Sequence, residues 1–411
     1  MYIDSSILLV YSNENFYRSW VMHLPHDVIF FVYLIFLGAS VFGAIVLFSR
    51  QTLLIAYIFS GMLFGPYGLK LIPNVDIVHS IGDVGILFLL FLLGLHLPPQ
   101  KLVCMLKKIS WVGVSTSCVF FLFGFLLTIA FRFPLVDAVL VGVGLMFSST
   151  IIGIKLLPTT VLHHQHTGEL MISVLLWQDI LAIAVMIIIR AFSGAGNFSE
   201  EVLLVVIGFP TVLLLVYALN RWILMPLLTR FSRIKEYVFL LAIAWCLSIA
   251  ELSTVLGLSS EVGAFIAGVS LAMSPIALYI AESLKPLRDF FLVLFFFSVG
   301  ANFDWHYLPV IAAPAILIAL GVLVIKPFSY RWALSSVEET KNVAWEVGVR
   351  LGQVSEFALI ISFMALSAQL ISQQSGYLVQ AAFILSSVFS GYWVVLKYPT
   401  PVAMNERLRR D

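Results

Sequence analysis

Two side chains near the middle of one apolar run have the chemistry to exchange ions. The stretch Leu170–Met186 reads LMISVLLWQDILAIAVM, and Gln178 and Asp179 are its only strongly polar residues near the centre, with Ser173 about one and a half turns earlier. A charge at the centre of a bilayer helix costs at least about 2.5 kcal/mol, so a carboxylate there needs a reason. One reason is structural, an Asp tied to a Lys of another helix. The other is exchange: a proton and a hard cation compete for the same oxygens and cannot occupy them together.

Further ionisable groups fall inside apolar runs. Lys326 follows LIALGVLVI and precedes Pro327. At that depth it is expected to pair with a polar core group rather than snorkel to the interface. Glu356 is a second intramembrane carboxylate, either a cation-pathway group or a structural partner, and Arg350 is a candidate ion-pair partner for Glu346 or Glu356. Asp83 is read as interfacial, and Glu261, beside Gly263, as either a vestibule group or an interfacial one. His163, His164 and His166 crowd one loop at a spacing too loose for a metal site; a solvated loop is expected there, with pH sensing as the alternative. Cys104, Cys118 and Cys246 are far apart and support neither a disulfide framework nor a metal knuckle. No cofactor is expected, and no metal beyond a transported cation.

The elements that must hold these groups follow from composition. Of 411 residues, 61% are hydrophobic and 11% charged, with a mean hydropathy of +1.05. Soluble domains carry about a quarter charged residues, so a soluble globular protein, a disordered chain and a nucleic-acid binder are excluded. The apolar runs are continuous rather than alternating, which excludes a β-barrel. The expected class is an all-α integral membrane protein with thirteen transmembrane helices, centred near 28–48, 52–68, 81–97, 109–131, 136–157, 168–192, 201–221, 237–256, 258–274, 288–301, 307–333, 346–370 and 376–397. Connections are short, leaving no inserted soluble domain. Residues 1–27 lack a basic n-region and a small-residue cleavage site, so a removed signal peptide is not expected.

An odd number of spans puts the termini on opposite sides. With the C-terminus cytoplasmic, seventeen Lys and Arg residues lie at cytoplasmic ends and loops, and only Arg18, Lys70, Arg132 and Arg190 lie outside. That asymmetry places the N-terminal segment, 1–27, outside and a short tail, 398–411, in the cytoplasm.

Thirteen spans divide into six, one linker and six, and an offset of seven makes the two six-helix repeats inverted, a plan common among secondary transporters. Span five contains Gly142, Gly144 and Ser148-Ser149-Thr150, and span twelve contains Gly348, Gly352, Gln353, Ser355 and Glu356. Unwound backbone at membrane depth survives only where it lines protein or water, so both spans are expected to be broken helices. Close packing through small residues is the alternative reading.

Several stretches together carry a family resemblance: Gly61-Met-Leu-Phe-Gly65-Pro66-Tyr-Gly68-Leu69, Asp83 through Leu95, Ser148-Ser149-Thr150, Val174-Leu-Leu-Trp-Gln178-Asp179, Gly263 through Gly268, Phe296-Phe-Ser298-Val-Gly300 and Gly352-Gln353-Val-Ser355-Glu356-Phe357. In this order they resemble the monovalent cation/proton antiporter superfamily, in the branch of the glutathione-gated potassium efflux antiporters, over roughly residues 30–395. The resemblance implies two crossing broken helices, a core domain around 81–192 and 307–397, a dimerisation scaffold around 28–68 and 237–274, an elevator-like movement, a homodimer in lipid and a bacterial inner membrane. It implies Asp179 as the ion-binding carboxylate, with Gln178, Ser149, Thr150, Lys326 and Glu356 around it. Gln178 stands where potassium-type relatives have Gln, so K+ is expected over Na+; the alternative is that Gln178 only bonds Lys326 or a half-helix end.

Two departures limit the carry-over. His96 stands where relatives commonly have Glu, and the chain ends shortly after its last span, where the efflux systems continue into a nucleotide-binding regulatory domain. No such domain, and no control by glutathione or NADH, is expected here. A gated cation channel is a competing function, but it needs a continuous polar pore and the chain offers one small polar cluster. An enzyme would need a nucleophile–base set or metal ligands within the spans, and none is found.

Overall fold

The computed structural model describes residues 28–72, 76–96, 99–155, 166–192 and 198–400. Without water to bond, an apolar run must satisfy its backbone internally, and the regular elements among these residues are helices. In chain order they are α1 (Val28–Phe48), α2 (Leu53–Phe64), α3 (Asp76–Leu95), α4 (Pro99–Ala130), α5 (Leu135–Leu145), α6 (Thr150–Lys155), α7 (His166–Phe192), α8 (Phe198–Leu219) and α9 (Met225–Phe231). Then follow α10 (Lys235–Val255), α11 (Ser260–Leu271), α12 (Ala277–Ala301), α13 (Leu308–Ser335), α14 (Lys341–Arg350), α15 (Glu356–Ser367) and α16 (Gln373–Lys397).

Seven described helical stretches are long and apolar enough to cross a membrane: 29–48, 109–130, 166–192, 206–231, 235–255, 305–335 and 373–397. The other stretches read as spans are shorter or more charged helices. Two differ in extent from the hydropathy reading. The helix expected over 201–221 runs on through a π-turn, Asn220–Leu224, into α9, because nothing there stops a helix and Pro226 sits in a first turn that tolerates it. Helix α12 starts at Ala277 rather than near 288; Glu282, Lys285, Arg288 and Asp289 lower its hydropathy without breaking the helix. His163 and His164, the N-terminal segment 1–27 and the tail after 400 lie outside the described residues.

The helices pack in two groups. Helices α1–α3 pack with α11 and α12, joined by α10, and α4, α5 and α7 pack with α13–α16. Helix α3, which the sequence reading grouped with the core, lays its glycine face against α11 and α12 instead. Glycines set the spacing in the first group. A Cβ at Gly61 of α2 would lie 2.0 Å from the Phe297 carbonyl oxygen of α12, and one at Gly300 of α12 would lie 2.0 Å from the Ile58 oxygen. The two backbones therefore touch, which is how membrane helices gain packing where apolar burial drives nothing. Gly61→Ala is expected to destabilise the protein by about 1–3 kcal/mol through overpacking. Thermal unfolding in detergent measures this, and a midpoint unchanged from wild type would refute the contact.

Candidate functional site

Two helix interruptions face each other in the second group. Helix α5 ends at Leu145 and α6 begins at Thr150, so Met146–Ser149 is unwound, and α14 ends at Arg350 before α15 begins at Glu356. Hydroxyl side chains help to end and restart these helices because they bond nearby backbone amides. Ser149 Oγ accepts the Ile152 amide at 3.1 Å, and Ser355 Oγ accepts that of Phe357 at 3.1 Å. Both spans that the sequence marked with glycine and hydroxyl groups are thus broken, and small residues bring them together: a Cβ on Gly144 would rest 3.4 Å from the Ala358 Cβ.

Lys326 of α13 joins the two breaks. Fully buried, its ammonium donates to the carbonyl oxygens of Phe147 and Gln353, both at 2.7 Å, and to Ser148 Oγ at 3.2 Å. An ammonium has three protons, and all three are used. Phe147 O lies just beyond the C-terminal end of α5, where carbonyls carry partial negative charge, so the cation is placed where the helix dipole favours it. The Phe120 ring lies 5.2 Å from the ammonium. Lys326 therefore pairs with polar core groups, and those groups are backbone carbonyls and a hydroxyl. The Asp–Lys tie offered as the structural role for Asp179 is not the bond Lys326 makes.

Gln178 is spent on the same break. Its Oε1 accepts the Ser148 amide at 3.0 Å, and its Nε2 donates to the Met146 carbonyl at 3.0 Å and to Tyr330 Oη at 2.9 Å. Of the two alternatives for Gln178, the contacts are those of a side chain bonded to a half-helix end.

Asp179, the next residue, is 1% exposed. Thr150, at the start of α6, donates its hydroxyl to Asp179 Oδ1 at 3.3 Å. The second oxygen, Oδ2, is buried with no hydrogen-bond partner among the described residues. Buried polar atoms are nearly always bonded, so an orphan acceptor at the junction of two broken helices is an exception that calls for an explanation. Glu356, also 1% exposed, opens α15 close enough that two ionised carboxylates would repel.

The remaining candidates divide. Arg350 donates to Glu346 Oε1 at 2.9 Å and to the Pro399 carbonyl at 3.1 Å, which selects Glu346 from its two candidate partners. Asp83 and Glu261 come together with Arg190 on the wall of one cavity of about 390 Å³. Ile360 of α15, one turn beyond Glu356, lines the same cavity. His166 bonds Glu339 at 2.7 Å and lies outside this cluster.

Sequence reasoning missed Tyr330, Gln353, Ser386 and Ser390 as site residues. Besides accepting from Lys326, Gln353 donates to the Ser149 carbonyl at 3.4 Å and accepts from Ser390 Oγ at 2.9 Å, and Ser386 Oγ accepts the Val354 amide at 3.1 Å. Spacing held the available signal. Tyr330 is four residues after Lys326, and Ser386 and Ser390 are four apart, so each pair shares one helix face.

Residues 32–396 match the family model described as sodium/hydrogen exchanger, transmembrane. The chain is 27% identical over 374 residues to the iron transporter MagA of Paramagnetospirillum magneticum, covering 91% of this chain and 86% of that protein. It is 29% identical over 391 residues to K+ efflux antiporter 5 of Arabidopsis thaliana, covering 89% of this chain and 65% of the relative. It is also 29% identical over 348 residues to the glutathione-regulated potassium-efflux system protein KefC of Cronobacter sakazakii, covering 83% and 56%. The chain thus spans less than two thirds of both potassium-efflux relatives. The sodium proton antiporter MjNhaP1 of Methanocaldococcus jannaschii has a similar fold, with a TM-score of 0.67 over 89% of this chain and 96% of that one at 15% identity.

Proposed function

Because this chain belongs to the transmembrane sodium/hydrogen exchanger family, we propose that it exchanges a monovalent cation for protons, with Asp179 as the carboxylate the two share. The observation that carries this reading is the buried, unpartnered Asp179 Oδ2 beside Thr150 and the two broken helices. Either a proton or a cation completes that oxygen, and one carboxylate cannot hold both, so each cation released makes room for a proton. Lys326 and Gln178 are positioning residues: they hold the unwound segments that shape the site. Glu356 adds negative field on the cation's path.

The movement that exposes Asp179 to each side in turn is an elevator-like shift of the core, α4–α7 and α13–α16, against a scaffold of α1–α3 and α10–α12. Packing supports this division, with α3 moved to the scaffold. Thirteen crossings in inverted repeats, an outer N-terminus, a cytoplasmic C-terminus, a bacterial inner membrane and a homodimer built on the scaffold complete the proposal. The basic-residue asymmetry and the paired broken helices support the orientation and the inverted repeats.

The proposed preference is K+ over Na+. Two of the relatives are named as potassium-efflux proteins, and this likeness supports the preference. In proteoliposomes with an internal pH dye, K+ and Rb+ pulses are expected to drive proton flux at lower concentrations than Na+ and Li+. A Na+ half-saturation equal to or below that for K+ at the same pH would reject the assignment.

A further inference from the structure

A second cavity, of about 600 Å³, lies between α7, α8 and α11. Its walls are apolar, including Ile183 and Ile187 of α7, Leu213 of α8 and Phe265 of α11. That volume lies within the roughly 300–1,000 Å³ range of small-ligand sites. The surrounding surface is equally apolar: Leu214 and Tyr217 of α8 are 70% and 65% exposed, as suits helices bathed in hydrocarbon. At the end nearest the π-turn the chemistry changes. Asn220 lines the cavity there, and its Nδ2 donates to the Ser270 carbonyl at 2.7 Å while its Oδ1 is buried with no partner among the described residues. Exposed Arg221, Arg230 and Arg233 follow within the next turns of chain. A π-turn interrupting a long helix at a polar residue is a frequent mark of function.

We propose that this cleft binds one acyl chain of an anionic phospholipid, with the phosphate held by Arg221 of the π-turn and a headgroup hydroxyl donating to Asn220 Oδ1. Three observations select this occupant. Exposed apolar side chains such as Leu214 flank the cleft, its apolar walls suit a hydrocarbon chain, and its polar end combines an unfilled acceptor with the positive charge of Arg221. Basic residues at the membrane surface recruit anionic headgroups in this way. The cleft flanks the helix that carries Asp179, but lipid binding there does not depend on transport and is tested without it.

The full chain, in vesicles of phosphatidylcholine with a minor fraction of phosphatidylglycerol bearing a photoreactive acyl chain, is irradiated, digested and mapped by mass spectrometry. Adducts are expected to concentrate on Ile187, Leu213 and Phe265 relative to the exposed α13 face at Leu317 and Leu320. Photoreactive phosphatidylcholine should label the cleft less. Ala184→Trp, which fills the cavity, should bring cleft labelling down to the α13 level. Arg221→Gln, an exposed change that leaves the fold intact, should lower the preference for phosphatidylglycerol about fivefold, the equivalent of one surface arginine. Equal labelling of cleft and α13, no headgroup preference, or loss of lipid adducts in favour of chain-to-chain crosslinks at the cleft, which would place a second copy there, would each overturn the assignment.

Discussion

Proteoliposomes carrying Asp179→Asn are expected to show no cation-driven proton flux above that of protein-free vesicles. Asn keeps the volume of Asp and can still accept from Thr150, so the helix and its packing survive. What disappears is the exchangeable proton and the negative charge that draws the cation. A neutral amide is also cheaper to bury than a carboxylate, so the unfolding midpoint should not fall. Asp179→Glu retains the chemistry with a displaced oxygen and should keep a reduced flux. The measurement is the dye response to a K+ pulse, alongside thermal unfolding. Wild-type flux in Asp179→Asn would remove this residue from the exchange, whereas lost flux with a collapsed midpoint would show only that Asp179 holds the fold.

Lys326→Met carries the second large effect, on stability. Met preserves the unbranched stem inside the packed region around Tyr330 and Phe120 but removes all three donors. The Phe147 and Gln353 carbonyls are then buried without their bonds at about 1–3 kcal/mol each, so a loss of roughly 2–6 kcal/mol is expected. Because these carbonyls belong to different broken helices, the two breaks should also separate. Thermal unfolding in detergent should show a midpoint lower by several degrees, and amide exchange should rise around 146–149 and 351–355. If the midpoint and exchange match wild type, Lys326 does not hold the breaks together, and its role lies in the exchange chemistry instead.

Membrane residence, the helical class and the positions of most helices follow from the sequence, because hydropathy sums over a local run and each helix closes its own hydrogen bonds. The same locality made Asp179, Lys326 and Glu356 conspicuous: a charge in an apolar run is costly wherever the run sits in the fold. The glycine and hydroxyl clusters at 142–150 and 348–356 likewise announced the two breaks, since backbone conformation there depends on neighbouring residues. Helix extents were less legible, because charged residues lower the hydropathy of α12 without ending it and the π-turn after α8 has no hydropathy signal. Partnership belonged to the tertiary structure alone. Lys326 reaches Phe147 across 179 positions and Gln353 across 27, and Gln178 meets Tyr330 across 152. Asp83, Arg190 and Glu261 share one cavity from three distant segments. Each side chain had several acceptors or donors of suitable type in the sequence. Which one it meets is decided by how closely helices approach, at contacts such as Gly61 on Phe297 and Gly144 on Ala358, and that distance is a property of two surfaces together.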